Sequence, residues 1–329
     1  MKVKIGLIGC GGISRRHIDA YLLLKDLIEV KATVDMVVDK ARNAAEKVGA
    51  ERYYRDYIEM LEKEDIDAVD ICLPHSLHSK VSIDAMRYGK NVLCEKPIAR
   101  NLIEAKKMIE VSKKTGKILM IAENWRFMPW TNMVKKLVDE KIIGRPFLAK
   151  SEMLGYPLDL ATSGWKTKRE EVGGGVTIDS GIHNIDIIRW IMGEVVEVTA
   201  LSNRIVREEI EGEDTSCILF KHESNAISTL ILSWAVKNPF TVDLLEIYGD
   251  KGSLKGFFDR IEVRNRERKI FSVKRENGFR EEIKYFAQCI LGVEKLRFPP
   301  EEAYKDLIIV DAIYKSIETG KIIKIEGNL

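Results

Sequence analysis

Val3-Lys4-Ile5-Gly6-Leu7-Ile8-Gly9-Cys10-Gly11-Gly12-Ile13-Ser14 stands near the start of the chain and decides its fold. A β-branched run, Lys2–Ile8, ends in G-x-G-x-x-S and passes directly into a helical stretch, Ile13–Leu24. Gly9 suits a tight turn and Gly11 lets backbone approach a pyrophosphate. Gly12 and Ile13 lead into the helix, whose N-terminus offers N–H groups and the positive end of its dipole, and Ser14 is small enough for close helix–strand packing. A glycine turn alone is weak evidence; a strand before it and a helix after it make it a dinucleotide fingerprint. Asp35 closes the second strand 21 residues beyond Ser14, the place for a carboxylate on a ribose 2′-OH. Such a carboxylate accepts NAD and repels the 2′-phosphate of NADP. Met36 follows it instead of a phosphate-clamping arginine, although Lys40 or Arg42 could reach that far, so NADP stays open.

Outward from this unit the first 120 or so residues alternate between two patterns. Apolar strand-like runs fall at Val30–Asp35, Ala68–Leu73, Asn91–Cys94 and Ile118–Ile121. Helical stretches separate them at Lys40–Val48, Tyr57–Glu62, Ser79–Tyr88 and Leu102–Lys114. The alternation predicts a parallel, doubly wound α/β sheet of Rossmann type covered on both faces. After about residue 145 the pattern becomes strand after strand: Phe147–Leu154, Val195–Val206, Thr215–Lys221, Ala226–Val236, Thr241–Tyr248 and Arg260–Val263. One helix lies inside this region, Thr177–Met192, and two follow, Phe279–Leu291 and Glu301–Thr319. This predicts a C-terminal α+β domain with a large open, mostly antiparallel sheet. At 329 residues, about two domains are expected: a dinucleotide-binding domain at 1–123 and a substrate-binding and oligomerisation domain at 124–329.

Composition excludes several classes. Lys+Arg 53 against Asp+Glu 51 leaves a net charge of +2, not the clustered excess of a nucleic-acid binder. No apolar run is long enough to cross a membrane, and the short, glycine-interrupted start does not resemble a secretory leader. The expected compartment is the cytoplasm. Five scattered cysteines without a C-x-x-C pair give neither a zinc knuckle nor a disulfide framework and read as small core residues. Gln288 is the single glutamine in a Lys- and Glu-rich chain, a composition that points to a thermophilic habitat.

Two further places carry reactive side chains. Leu93-Cys94-Glu95-Lys96-Pro97 sets a lysine at the carboxyl end of a parallel strand, where such sheets bind ligands. In the second half, Gly173-Gly174-Gly175 precede Asp179-Ser180-Gly181-Ile182-His183-Asn184-Ile185-Asp186. On one helix Asp179 and His183 stand i,i+4 and share a face, and a carboxylate beside an imidazole fixes its tautomer and raises its basicity. Each signal has a plain alternative: a surface lysine, and an Asp–His pair arising by chance. His75 and His78 form His-x-x-His without a third ligand at recognisable spacing. They read as capping and pocket-lining residues, with no metal.

Taken in order, these motifs carry a resemblance. The glycine loop, Pro74-His75-Ser76-Leu77-His78, Glu95-Lys96-Pro97, Asn124-Trp125-Arg126-Phe127, Ile143-Gly144-Arg145-Pro146, Gly-Gly-Gly…Asp179-x-Gly181-x-His183-x-x-Asp186, Trp190-Ile191-Met192-Gly193 and Ala312-Ile313-Tyr314-Lys315-Ser316 span nearly the whole chain. Together they resemble the glucose–fructose oxidoreductase/inositol dehydrogenase/MocA-type (Gfo/Idh/MocA) family. The resemblance implies NAD(P)-dependent hydride transfer between nicotinamide and a secondary alcohol or ketone of a sugar, cyclitol or related polyol. It makes Lys96 the group that holds the reacting oxygen, and Asp179 and His183 the family's Asp-x-x-x-His pair. Cofactor contacts then fall on Gly9, Gly11, Gly12, Ile13, Ser14, Asp35, Leu73, Pro74, His78, Glu95, Lys96, Trp125 and Arg126. Whether His183 or Lys96 accepts the proton stays open at this stage, and the loop Gly155–Glu171 matches no specificity. Two other readings compete: a reductase of a non-sugar carbonyl or dihydrodiol-type substrate, and a non-catalytic nucleotide-sensing protein on the same fold. Ile227, Leu230, Leu232 and Trp234 suggest large apolar groups on both faces of the second sheet. From that, and from the resemblance, a homodimer or homotetramer is expected.

Overall fold

In this computed structural model, residues 2–157, 164–239 and 245–325 are described. The chain forms two compact units. Unit 1 comprises Met1–Asn124 with Gly278–Tyr304, and unit 2 comprises Trp125–Asn277 with Lys305–Leu329. The sequence reading divides the chain once, at 123/124. The observed units also return residues 278–304 to unit 1.

Unit 1 runs β1 (Val3–Ile8), α1 (Ser14–Leu23), β2 (Ile28–Val34), α2 (Val38–Val48), β3 (Arg52–Tyr54), α3 (Tyr57–Lys63), β4 (Ala68–Ile71), α4 (His75–Arg87), β5 (Asn91–Glu95), α5 (Leu102–Thr115) and β6 (Leu119–Ala122). All strand pairs are parallel, in the order β3-β2-β1-β4-β5-β6. The order reverses between β1 and β4, the switch point at which open α/β sheets bind ligands beyond the strand carboxyl ends. The central strands are mostly apolar because both faces are covered: every residue of β4 and β6 is buried, Asp70 of β4 included. Short β3 escaped the sequence reading because two of its three residues are exposed and it lacks an apolar run.

In unit 2 a 3₁₀ turn, Asn124–Phe127, leads out of unit 1 into α6 (Pro129–Asp139), β7 (Pro146–Leu154), α7 (Arg169–Val172), α8 (Val176–Asp179), α9 (Gly181–Met192), β8 (Val195–Asn203), β9 (Thr215–His222), β10 (Ile227–Ser233), β11 (Leu245–Gly249), β12 (Gly252–Gly256), β13 (Arg260–Arg264) and β14 (Arg268–Ser272). Then come α10 (Phe279–Ile290), which belongs to unit 1, α11 (Pro300–Thr319) and β15 (Ile323–Lys324). The nine-stranded sheet has the order β14-β13-β12-β11-β7-β10-β9-β8-β15 and is antiparallel except for the β7–β10 pair. Part of the expected strand Thr241–Tyr248, namely residues 241–244, lies outside the described residues, as does 158–163 of the unassigned loop.

The expected single helix and the expected burial of all five cysteines are corrected here. The expected helix Thr177–Met192 is two pieces, α8 and α9, broken at Ser180. At the break Gly181 lies against Leu232 of β10, whose Cδ1 a Cβ on Gly181 would overlap. The expected placing of large apolar groups on both faces of β10 holds. Leu230, Leu232 and Trp234 are buried together, whereas Ile227 is 50% exposed, as the two-residue period of a strand requires. On that outer face exposed Leu201 and Leu219 from neighbouring strands join Ile227. Of the five free cysteines Cys72, Cys94 and Cys289 are buried, but Cys217 is exposed and Cys10 half-buried. Among the described residues no helix is long and apolar enough to cross a membrane.

Candidate active site

Because every strand of unit 1 runs the same way, the loops after β1, β2, β4 and β5 open on one edge of its sheet. The first is the glycine loop. Gly9 has φ +93°, and a Cβ there would stand 2.8 Å from the Cys72 carbonyl carbon, so a side chain is barred twice. At Gly11 and Gly12 a Cβ would meet nothing within 4 Å, which leaves open space above the loop. Ser14 is buried and donates from Oγ to the Gly11 carbonyl (2.8 Å), tying the loop to the first turn of α1. That turn carries no acidic residue, and Ile13 caps it without a side-chain acceptor. Its N–H groups and dipole therefore suit an anionic group such as a pyrophosphate.

Asp35 follows β2. Its Oδ2 accepts from the Cys10 N–H (2.9 Å) and its Oδ1 from the Val37 N–H (2.8 Å). One fixed carboxylate is thus built into the rim of the glycine loop. Burial first, and Asp35 second, push the Cys10 thiol up to about 12, so it stays protonated at neutral pH. Arg42, a possible phosphate partner, pairs with Asp39 at 3.2 Å and lies over the Tyr53 ring. The residues present fit a dinucleotide with a free 2′-hydroxyl.

Beyond β4 stand half-buried Leu73 and Pro74, then α4. His78 is buried, with Nδ1 2.8 Å from the Pro97 carbonyl and Nε2 2.9 Å from the Leu73 carbonyl. It bridges the loops after β4 and β5. Burial, then the neighbouring His75, lower its pKa to about 4, so the ring is neutral at pH 7 and donates to one of the two carbonyls. Both nitrogens are occupied by this bridge; among the described residues α4 itself has no side-chain cap, so His78 ties two loops together instead of capping the helix as the His-x-x-His reading expects. Glu95 ends β5, 5% exposed, and its Oε2 accepts the Lys96 backbone N–H at 3.2 Å. Lys96 is half-buried and its bond to Pro97 is cis.

Behind this edge lies a cluster that the sequence did not announce. His17 of α1 is 0% exposed, with Nδ1 2.8 Å from Asp70 Oδ2 and Nε2 2.9 Å from Glu95 Oε1. Tyr21 donates to the same Asp70 oxygen (2.5 Å), Cys72 lies beside it, and Phe279 of α10 packs its ring 5.4 Å from the imidazole. His17, Asp70 and Cys72 place three metal-type donors within 4.8 Å of one another, but both ring nitrogens already face carboxylates. Burial opposes charge on His17, and Asp70 outweighs it, holding its pKa well above the ordinary value. Glu282 of α10, also 0% exposed, has no hydrogen-bond partner for either oxygen among the described residues. Burial, then the charge of Glu95, push it well above the carboxylate range.

Unit 2 carries the second set of reactive groups. The glycine run lets the chain press onto its neighbours: a Cβ on Gly174 would stand 2.6 Å from the Tyr314 ring carbon Cζ, and one on Gly175 would stand 2.9 Å from the Glu213 carbonyl carbon. From there α8 presents Asp179, buried at 3% exposure, which accepts from Lys166 Nζ at 3.0 Å. Lys166 comes from the loop to which no specificity was assigned. His183, half-buried in the first turn of α9, stacks on Trp125 with ring centroids 5.2 Å apart and planes 5° apart. The next residue, Arg126, is 4% exposed and holds Asp186, one turn beyond His183, with Nε at 2.8 and 2.9 Å from its two oxygens. The Arg126 guanidinium keeps the buried Asp186 carboxylate below its ordinary range despite desolvation. Trp125 and Arg126, expected at the cofactor, are thus joined within unit 2 to the helix that carries His183.

Residues 3–123 match the family described as "Oxidoreductase family, NAD-binding Rossmann fold", and residues 131–255 match "GFO/IDH/MocA C-terminal domain". The D-apiose dehydrogenase of Paraburkholderia graminis is 32% identical over 81% of this chain and 71% of its own length. The myo-inositol 2-dehydrogenase of Thermotoga maritima is 29% identical over 98% of this chain and 99% of its own. Among solved structures, an oxidoreductase from Thermotoga maritima superposes with a TM-score of 0.92 at 29% identity, covering 99% of both chains.

Proposed function

The chain belongs to the Gfo/Idh/MocA family of NAD-binding oxidoreductases, and from that premise we propose that it oxidises a ring secondary alcohol of a sugar, cyclitol or related polyol, reversibly and with NAD. One observation carries the reading: the glycine loop, the Asp35 carboxylate and Lys96 all sit on the carboxyl edge of one parallel sheet. NAD would supply the acceptor for the hydride that leaves the carbinol carbon. Lys96 hydrogen-bonds the reacting oxygen and stabilises developing alkoxide charge. His183 takes the hydroxyl proton, its ring plane held by Trp125, and Asp179 orients the substrate or the imidazole. A general base of this kind contributes about 10²–10⁴-fold. Asp35 gives NAD the advantage over NADP.

Assembly is part of the same proposal. The outer face of the nine-stranded sheet exposes Leu201 (80%), Leu219 (48%) and Ile227 (50%), surface that a sheet-to-sheet contact with a second copy would cover. A cytoplasmic location fits five free cysteines.

The test is a panel of aldoses, pentoses and cyclitols offered with NAD and with NADP, followed by the absorbance of reduced nicotinamide. Turnover of at least one polyol with NAD supports the proposal. Nucleotide binding without turnover of any alcohol or carbonyl favours the sensing alternative.

A further inference from the structure

His17 lies outside every motif that carries the chemistry, yet it links two of them. It stands three residues past Ser14, on the helix whose N-terminus closes the glycine loop. Its ring reaches Asp70 on β4 from one nitrogen and Glu95 at the end of β5 from the other. Both partners are acceptors when ionised, so both nitrogens must donate, and the ring carries a proton on each. A neutral ring would set a lone pair against a carboxylate oxygen at under 3 Å, away from bulk solvent at 0% exposure. The surroundings agree: Tyr21 donates to Asp70, and burial holds the protons on the Cys72 thiol and on Glu282, so neither competes with the imidazole as a charge beside the cluster. Glu95 is then held at both oxygens, Oε1 by His17 and Oε2 by the Lys96 backbone.

We propose that His17 is a positioning residue for the reaction: as a doubly donating imidazolium it fixes the Glu95 carboxylate and, through it, the backbone from which Lys96 reaches the substrate oxygen. The inference rests on the reading of Lys96 given above. One helix thereby sets both the phosphate cradle and the reactive lysine, so the register of α1 fixes the spacing of the two.

Two measurements test it. In the wild-type holoenzyme with histidine labelled by nitrogen-15, His17 should show two slowly exchanging ring N–H protons that persist across neutral pH. A single N–H, or loss of one between mildly acidic and mildly alkaline pH, overturns the proposal without any variant. In kinetics with the polyol active in the panel, His17→Gln should lower kcat by about ten- to a hundredfold, the size of a misplaced reacting group. KM for NAD should change little. Glu95→Gln should lower kcat at least as much, and the double variant should lose no more than Glu95→Gln alone. Losses that multiply in the double variant, or full kcat in Glu95→Gln, sink the idea. Lys96→Met separates the two readings: if it keeps turnover, the role of Lys96 fails; if it abolishes turnover while the double variant is multiplicative, only the role of His17 falls.

Discussion

Gly9→Ala and Gly11→Ala, two residues apart in one loop, should fail in different ways. At Gly9 the backbone has φ +93°, and the new methyl would run into the Cys72 carbonyl group. That carbonyl follows β4, and the Cys72 N–H is bonded to Ile8 at the end of β1 (2.8 Å), so neither side yields without opening the central ladder. Left-handed strain costs about 1–3 kcal/mol and overpacking against a fixed neighbour about 1–3 more. The sum, roughly 2–6 kcal/mol, corresponds in a unit of this size to a fall in Tm on the order of 5–20 °C. At Gly11 the same methyl meets nothing within 4 Å, so Tm should stay near wild type. What it fills is the space a pyrophosphate would enter, and NAD affinity should fall by about tenfold or more, the cost of removing one close approach. Calorimetry without ligand and NAD titration by protein fluorescence read the two effects separately. A Gly9→Ala protein melting with wild type would refute the strain argument. A Gly11→Ala protein binding NAD normally would refute the placement of the cofactor.

Asp35→Ser should weaken NAD and strengthen NADP, because it removes the charge that meets a 2′-phosphate; wild type binding NADP tenfold tighter than NAD in the same titration would show that Asp35 has been misread. Lys96→Met should leave NAD affinity near wild type and reduce kcat by on the order of 10² or more, and a variant keeping a tenth of its turnover would contradict that. For Glu282 the sign follows from its raised pKa: the unfolded acid ionises near pH 4 while the folded one stays protonated, so stability falls as pH rises above about 4 toward the folded value. Glu282→Gln should therefore melt higher than wild type at pH 8, with the gap closing toward pH 4; parallel melting curves across that range would rule out a buried protonated acid. Light scattering at micromolar concentration should give an even multiple of 37.5 kDa, and a monomer mass would leave the outer sheet face without its proposed partner.

The parts of this fold legible in the sequence are those where chemistry or burial restricts residue choice locally. The glycine loop is readable because Gly9 must turn with positive φ and Gly11 must stay bare. The central strands are readable because burial on both faces makes them predominantly apolar. Helix α6 was equally accessible and went unread: Pro129 at its first position and Trp130, Val134, Leu137 and Val138 on one face are a regular amphipathic start. The close approach of Gly181 to Leu232 at the break between α8 and α9 was not accessible, because Leu232 stands on a strand about 50 residues away. Neither was the His17 cluster, since His17 meets Asp70 and Glu95 across 53 and 78 residues. The same holds for Arg126 with Asp186, 60 residues apart. A buried charge announces itself only through the partner that the fold brings to it.

The return of residues 278–304 to unit 1 bears on how the protein is made. Helix α10 packs on α1, placing Phe279 over the His17 ring and Glu282 beside it. A ribosome that has finished β6 has therefore not finished unit 1. Roughly 150 residues of unit 2 must follow before α10 exists, about 10–30 s of synthesis at ordinary elongation rates. Throughout that interval the cluster behind the cofactor edge lies open to water, and the nascent sheet must wait for its closing helix. A gene fragment ending at residue 124 would freeze the protein in that unfinished state, and a circular permutant that moves α10 ahead of β1 would abolish the wait.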